Sequence, residues 1–256
     1  MLIWYASVMI MTTIQDNLRT VHQRLSDACA AAGRDPRSVT LLAVSKTQGA
    51  ATLRATHHAG QTAFGENYVQ EALTKMAVLR DLPLEWHCIG PLQSNKTRLV
   101  AEQFDWVHSV DRLKTALRLS EQRPAGLPPL QICLQVNLDG GETKAGIGPA
   151  QAAALALQVS ALPRLCLRGI MTIPEPASGF EAQKAVHLQA KRLFDEIRAA
   201  LEHSGTAGAQ AAARFDTLSM GMTGDLEAAV HAGSTLVRIG TAIFGARATS
   251  PEPGVA

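Results

Sequence analysis

Eight short β-prone runs alternate with helical stretches along this chain, and that alternation limits its fold more than any other feature. The runs cover residues 39–45 (VTLLAVS), 62–65 (TAFG), 85–90 (EWHCIG), 106–110 (WVHSV), 130–137, 165–173, 216–221 and 235–240. Helical periodicity is predicted near 50–59, 67–80, 94–103, 111–122, 149–161, 179–203 and 224–232. A further helix, from about residue 14 to 32, precedes the first run and is stopped by Gly33 and Pro36. Asn67, Ser94, Asp111 and Thr223 are expected to cap helix starts. Near-continuous apolar strands separated by helices imply a buried parallel sheet. Eight such units in about 210 residues favour a closed (β/α)8 TIM barrel. An open doubly wound sheet would carry a GxGxxG turn after its first strand, and the sequence has none there.

The 256 residues suit one domain. The expected organisation is a barrel with an extra N-terminal helix over 12–247, an upstream extension over 1–11 and a flexible tail over 248–256. The Ala/Gly stretch at 205–213 is expected to be a loop within that barrel. A formal net charge of +2 gives no general reason to bind nucleic acid or an anionic membrane. The apolar opening MLIWYASVMI lacks a basic n-region and is too short to span a bilayer. Four dispersed cysteines without a CxxC favour free thiols in a reducing cytoplasm, and no HExxH suggests a metal. A closed barrel has no sheet edge to pair, so a monomer is expected.

In this fold the C-terminal strand ends build the working face. Those ends carry Lys46, Glu66-Asn67, Gly90-Pro91, Asn137, Met171 with Ile173, 219–222, and Arg238 with Gly240-Thr241. A lysine at a strand end is by itself most often a solvated cap. Desolvated at a barrel mouth, its amine would become a nucleophile. SMGMTGD (219–225) and IGTAIFG (239–245) follow the seventh and eighth runs, the usual phosphate position of the fold. Ser219 and Thr241 offer hydroxyls there, and Gly221 and Gly240 allow close backbone approach to an anion. Ordinary turn chemistry explains either loop alone and both together less well. Arg238 lies in an apolar strand, where a guanidinium needs a partner: a structural ion pair or a ligand acceptor.

The strings LLAVSKTQ, FGENYVQEAL, WHCIGPLQSNK, HSVD, GIMTIPE and LSMGMTGDLEAAVHAGSTLVRIGTAIFGAR closely resemble the pyridoxal 5′-phosphate (PLP) homeostasis proteins. The resemblance runs from about residue 12 to 247, and it extends to the barrel domain of fold-type III PLP enzymes such as alanine racemase. It implies a Schiff base between PLP and Lys46, with Ser219, Gly221, Gly240 and Thr241 cradling the phosphate and Arg238 facing the pyridine nitrogen. Asn67 and Met222 would line the same mouth. Gly49, where the family commonly has Pro, and the Gly pair of GGETKAGI (140–147) depart from the family pattern in loops.

The resemblance implies a PLP carrier or buffer acting in vitamin B6 homeostasis, passing cofactor to PLP-dependent apo-enzymes. A fold-type III racemase needs a second base opposite the lysine, in alanine racemase a tyrosine of the other subunit's second domain. This chain's only tyrosines are Tyr5 and Tyr68, the latter expected to be packing material at a helix start. The enzymatic alternative is a weak amino-acid racemase, decarboxylase or lyase. A class I aldolase would also use a barrel lysine but has no need of the doubled cradle.

Overall fold

The computed structural model describes residues 2–141 and 144–245, with side chains from Thr13 onward. The expected tail and two residues of the 140–147 loop lie outside the described residues. The long first helix, α1 (Leu2–Ala31), leads into β1 (Thr40–Val44). Then come α2 (Ala50–His58), β2 (Ala63–Glu66), α3 (Val69–Val78), β3 (Glu85–Cys88), α4 (Thr97–Gln103), β4 (Trp106–Val110) and α5 (Leu113–Gln122). The second half runs β5 (Leu130–Val136), α6 (Pro149–Ser160), β6 (Leu165–Thr172), α7 (Phe180–Glu202), α8 (Thr206–Ala212), β7 (Thr217–Ser219), α9 (Leu226–His231), β8 (Leu236–Ile239) and α10 (Thr241–Phe244).

The strands pair in parallel in chain order and close into a barrel, with β8 returning to β1 from Thr40↔Leu236 to Ala43↔Ile239. The (β/α)8 expectation therefore holds. The helices between strands lay apolar stripes on the barrel, as Ala116 and Leu119 of α5 and Ala152, Ala156 and Val159 of α6 do, all fully buried. Low aromatic content suits this packing, since small aliphatic side chains let helices sit close to strands. α1 docks across α9 and α10 through Arg24, which donates to Glu227 (2.9 and 3.0 Å), and Asn17, which donates to the Ile243 carbonyl (3.0 Å).

Three local expectations are corrected. The stretch at 205–213 is not a loop: α8 forms there because an Ala-rich run has high helix propensity. It packs so tightly on the end of α7 that a Cβ at Gly208 would collide with Ser204 and the Leu201 carbonyl. α1 begins at Leu2 rather than near residue 14, since no Gly or Pro in the apolar opening interrupts helical propagation. The caps predicted at Asn67, Ser94, Asp111 and Thr223 are displaced to Tyr68, Lys96, Arg112 and Asp225. The chain first turns over the barrel rim: Lys96 N–H reaches the Gln93 carbonyl and Met222 N–H the Asp225 carboxylate before helix begins.

Candidate functional site at the barrel mouth

Lys46 follows the end of β1 by two residues, and its backbone is held by a buried polar cluster. Ser45 is fully buried; its hydroxyl donates to Glu66 Oε1 (2.5 Å), and its carbonyl accepts from Lys75 Nζ (2.8 Å). Lys75, itself buried, also donates to Glu66 Oε1 (2.7 Å) and pairs with Glu71 (2.6 Å). Burial pushes the Glu66 carboxyl above the ordinary carboxylate range, against the pull of Lys75 and Ser45. On the other side of Lys46, Thr47 adopts a left-handed φ of 67° while its N–H donates to Glu71 Oε1 (2.6 Å). Thr47 is not glycine, so this conformation is held by the carboxylate bond rather than by intrinsic preference.

The small cavity beside Lys46, about 60 Å³, is lined by Lys46, Thr47, Gln48, Gly240, Thr241 and neighbouring residues of β1 and α10. Ala43↔Ile239 pairing places Gly240 against the end of β1, where a Cβ would stand 3.2 Å from the Val44 carbonyl. Thr241 opens α10, where the Ile243 and Phe244 N–H groups donate to the Gly240 carbonyl (2.9 Å each). Lys46, Gly240 and Thr241 thus border a single cavity.

Below it, Arg238 on β8 donates through Nη1 to Ser219 Oγ (2.8 Å) and through Nη2 to the Thr172 carbonyl (2.9 Å). Burial lowers this guanidinium to about 10, which leaves it charged at neutral pH. Ser219 is fully buried and also bonded to His108 Nδ1 (3.0 Å). Gly221 adopts φ +94°, and a Cβ there would lie 2.5 Å from that of Ala229, so the β7–α9 turn folds flush on α9 only with glycine. Met222 is 40% exposed at the same turn. Its N–H is taken by Asp225, which also accepts from His187 Nε2 (2.9 Å). Asp225 and Glu227 thus serve tertiary contacts as well as the start of α9.

Asn67 lines a neighbouring hollow with Tyr68, Gln93 and Lys96. Tyr68 is 58% exposed, which corrects the expectation of a packed ring. Lys144 is paired with Asp139 and Glu175 (2.7 Å each). Three buried oxygens around the strand ends, Glu66 Oε2, Asn67 Oδ1 and Thr172 Oγ1, have no hydrogen-bond partner. Unpartnered polar atoms at such depth fit a mouth that receives a polar ligand. Sequence places Glu66 at a strand end, but not its bonds to Ser45 and Lys75, nor the histidine bonds behind Ser219. The signal was there in EWHC and WVHSV, where each histidine falls on the same strand phase as a neighbouring inward residue.

A parallel eight-stranded barrel with a lysine at its mouth defines a class, and the family model described as "Alanine racemase, N-terminal domain" matches residues 12–248. The chain is 56% identical over 237 residues to the pyridoxal phosphate homeostasis protein of Pseudomonas aeruginosa, covering 93% of this chain and 97% of that one. The structure of PipY of Synechococcus elongatus with PLP bound superposes with a TM-score of 0.74 at 38% identity, covering 91% of this chain and all of that one. Alanine racemase from Corynebacterium glutamicum shares the fold, with a TM-score of 0.63 at 15% identity over 91% of this chain and 60% of its own. The chain belongs to the alanine racemase N-terminal domain family and, within it, to the pyridoxal phosphate homeostasis proteins.

Proposed function

We propose that this chain binds PLP as a Schiff base on Lys46 and acts in intracellular PLP homeostasis, as a carrier or buffer without steady catalysis. The observation that carries the reading is the meeting of Lys46, Gly240 and Thr241 around one cavity, above the Arg238–Ser219 pair. Support comes from the family, from the PLP-bound PipY relative and from the unpartnered oxygens at the mouth. Bound PLP supplies an aldehyde that condenses reversibly with an amine and a ring whose electron demand depends on the protonation of its nitrogen.

In this reading the chain's residues divide the work. The Ser45–Glu66–Lys75 cluster fixes the base of Lys46. Ser219, Gly221, Gly240 and Thr241 hold the phosphate, and Asn67 and Met222 border the mouth. Arg238, charged at neutral pH, donates to the ring nitrogen and keeps it unprotonated, which discourages amino-acid chemistry. Residues 12–247 act as one unit, a monomer by virtue of the closed sheet, passing cofactor to PLP-dependent apo-enzymes. Four free cysteines suit a reducing cytoplasm, and among the described residues no helix is long and apolar enough to cross a membrane.

The test is a visible spectrum before and after borohydride. Protein incubated with PLP is expected to absorb as a Schiff base and to be labelled irreversibly at Lys46, and Lys46→Ala to lose both signals. An unchanged spectrum in Lys46→Ala would refute the assignment. Exposure of Tyr68 at the rim favours one second reading, a weak PLP enzyme. Steady turnover of any amino acid, abolished by Lys46→Ala, would establish it.

A further inference from the structure

Four hydrogen bonds cross the barrel interior in one file: Glu85–His87 (2.6 Å), His87–His108 (2.9 Å), His108–Ser219 (3.0 Å) and Ser219–Arg238 (2.8 Å). The file runs from one face of the barrel to the other. Arg238 and Ser219 are buried beneath the mouth. Glu85, with 48% of its side chain exposed, sits at the opposite rim, where it lines an open basin of about 730 Å³ with Asp105, Trp106, Arg123 and Arg168.

Donor and acceptor chemistry leaves the file two arrangements. Arg238 can only donate, so Ser219 Oγ accepts from it. His108 is fully enclosed; burial, followed by His87 and Arg238, holds its imidazole well below the ordinary range, so it has one donor and one acceptor nitrogen. In the first arrangement the Ser219 hydroxyl donates to His108 Nδ1, His108 Nε2–H to His87 Nδ1, and His87 Nε2–H to the Glu85 carboxylate. All four donors then face away from the mouth. In the second, His108 carries its proton on Nδ1 and donates to Ser219. Its Nε2 must then accept from His87 Nδ1–H. Because the Glu85 carboxylate can only accept, His87 needs a second proton on Nε2. Ser219 now accepts from both Arg238 and His108, and its own proton is released from the file.

We infer that a proton added to His87 at the far face of the barrel reverses this file and turns the Ser219 hydroxyl into a donor toward a ligand at the mouth. One proton is gained from water in the basin, and within the file the His108 Nε2–H bond is broken and an Nδ1–H bond formed, so that His108 keeps one proton and His87 ends with two. The groups facing His87 permit its charge. The Glu85 carboxyl is held below the ordinary range chiefly by its bond to His87, with Arg168 contributing, and therefore stays ionised. On β4, the Trp106 ring stacks on His87 (5.2 Å, 8°) beside His108. Arg168 of β6 sits 4.9 Å from the same indole but is paired with Asp216 (2.7 Å), which offsets its repulsion. Cys133 of β5 is neutral, burial pushing its thiol up, and Arg238 lies beyond His108. The inference rests on the reading of Ser219 as part of the phosphate cradle.

The experiment follows the histidine ring nitrogens of 15N-labelled protein by NMR from about pH 5.5 to about pH 9. Without PLP, His108 is expected to pass from the Nε2–H to the Nδ1–H tautomer in step with His87 gaining its second proton. In Glu85→Gln the side-chain amide donates to His87 Nε2, so the second arrangement forms without a proton and the coupling is lost. PLP titration is expected to show the wild-type affinity rising roughly tenfold, relative to Glu85→Gln, as pH falls through the His87 step, the effect of one hydrogen bond to a charged acceptor. A His108 tautomer that stays fixed while His87 titrates overturns the file, and parallel wild-type and Glu85→Gln binding curves overturn its link to the mouth. Tautomer exchange in a protein that binds no PLP at any pH upholds the file and sinks the PLP reading instead.

Discussion

Gly221 and Arg238 show how single residues at the mouth answer to the fold. Gly221 combines a positive φ with a Cβ path blocked by Ala229, so Gly221→Ala meets both a strained backbone and a clash. It is expected to lower stability by about 2–4 kcal/mol, read as a shift in urea midpoint at unchanged slope. Arg238 holds two acceptors with one planar fork, Ser219 on β7 and Thr172 on β6. Arg238→Lys keeps the charge but cannot reproduce both bonds from one ammonium. The expected cost is about 1–3 kcal/mol in urea unfolding, together with weaker PLP retention in a competition assay. Equal stability would mean that the fork does not organise this end of the barrel. The sequence marked Arg238 because a lone cation in an apolar strand demands a partner. It could not mark Lys75 in the same way, since a lysine in a helix reads as solvated until the fold turns it toward Ser45 and Glu66.

Among the elements, the β7–α9 turn depends on one carboxylate. Burial alone would push Asp225 up, but the bonds from His187 and the Met222 N–H, with help from Arg238, bring it below its ordinary value of 3.8. A carboxyl depressed in the folded state contributes stability that is fully present above its unfolded value and lost as pH falls through its folded value. Asp225→Asn is therefore expected to lower the thermal midpoint at neutral pH by the loss of about 1–2 kcal/mol. The gap between variant and wild type should close as pH drops below 3.8, and a gap that widens in acid would contradict the sign of this linkage. Element types were readable because period and length distinguish a buried strand from an amphipathic helix. Boundaries were less so, as the caps of α3, α4, α5 and α9 all fall one or two residues after the predicted ones, and before α4 and α9 a rim turn intervenes. α8 was misread because alanine and glycine look alike as loop composition, whereas Gly208 is there to let two helices touch.

At the scale of the molecule, the closed barrel was legible because eight apolar runs in strict alternation with helices leave few other topologies. The file from Glu85 to Arg238 was not, since it joins β3, β4, β7 and β8 across the lumen, and only closure brings those strands face to face. The same closure governs the cysteines. Cys29, Cys88 and Cys133 are buried and Cys166, near the start of β6, is half-buried, all four as free thiols. Burial pushes the Cys88 thiol up to about 12 and those of Cys29 and Cys133 upward as well, so these three hold little thiolate at neutral pH. Alkylation of the native protein, followed by mass spectrometry, is expected to modify Cys166 first and the other three only at the rate of global opening. Added urea should bring all four into reach in one cooperative step, with protection persisting up to the unfolding midpoint. Early labelling of Cys88 in native buffer would show that the end of β3 opens on its own, and the barrel would then be less cooperative than its continuous core implies.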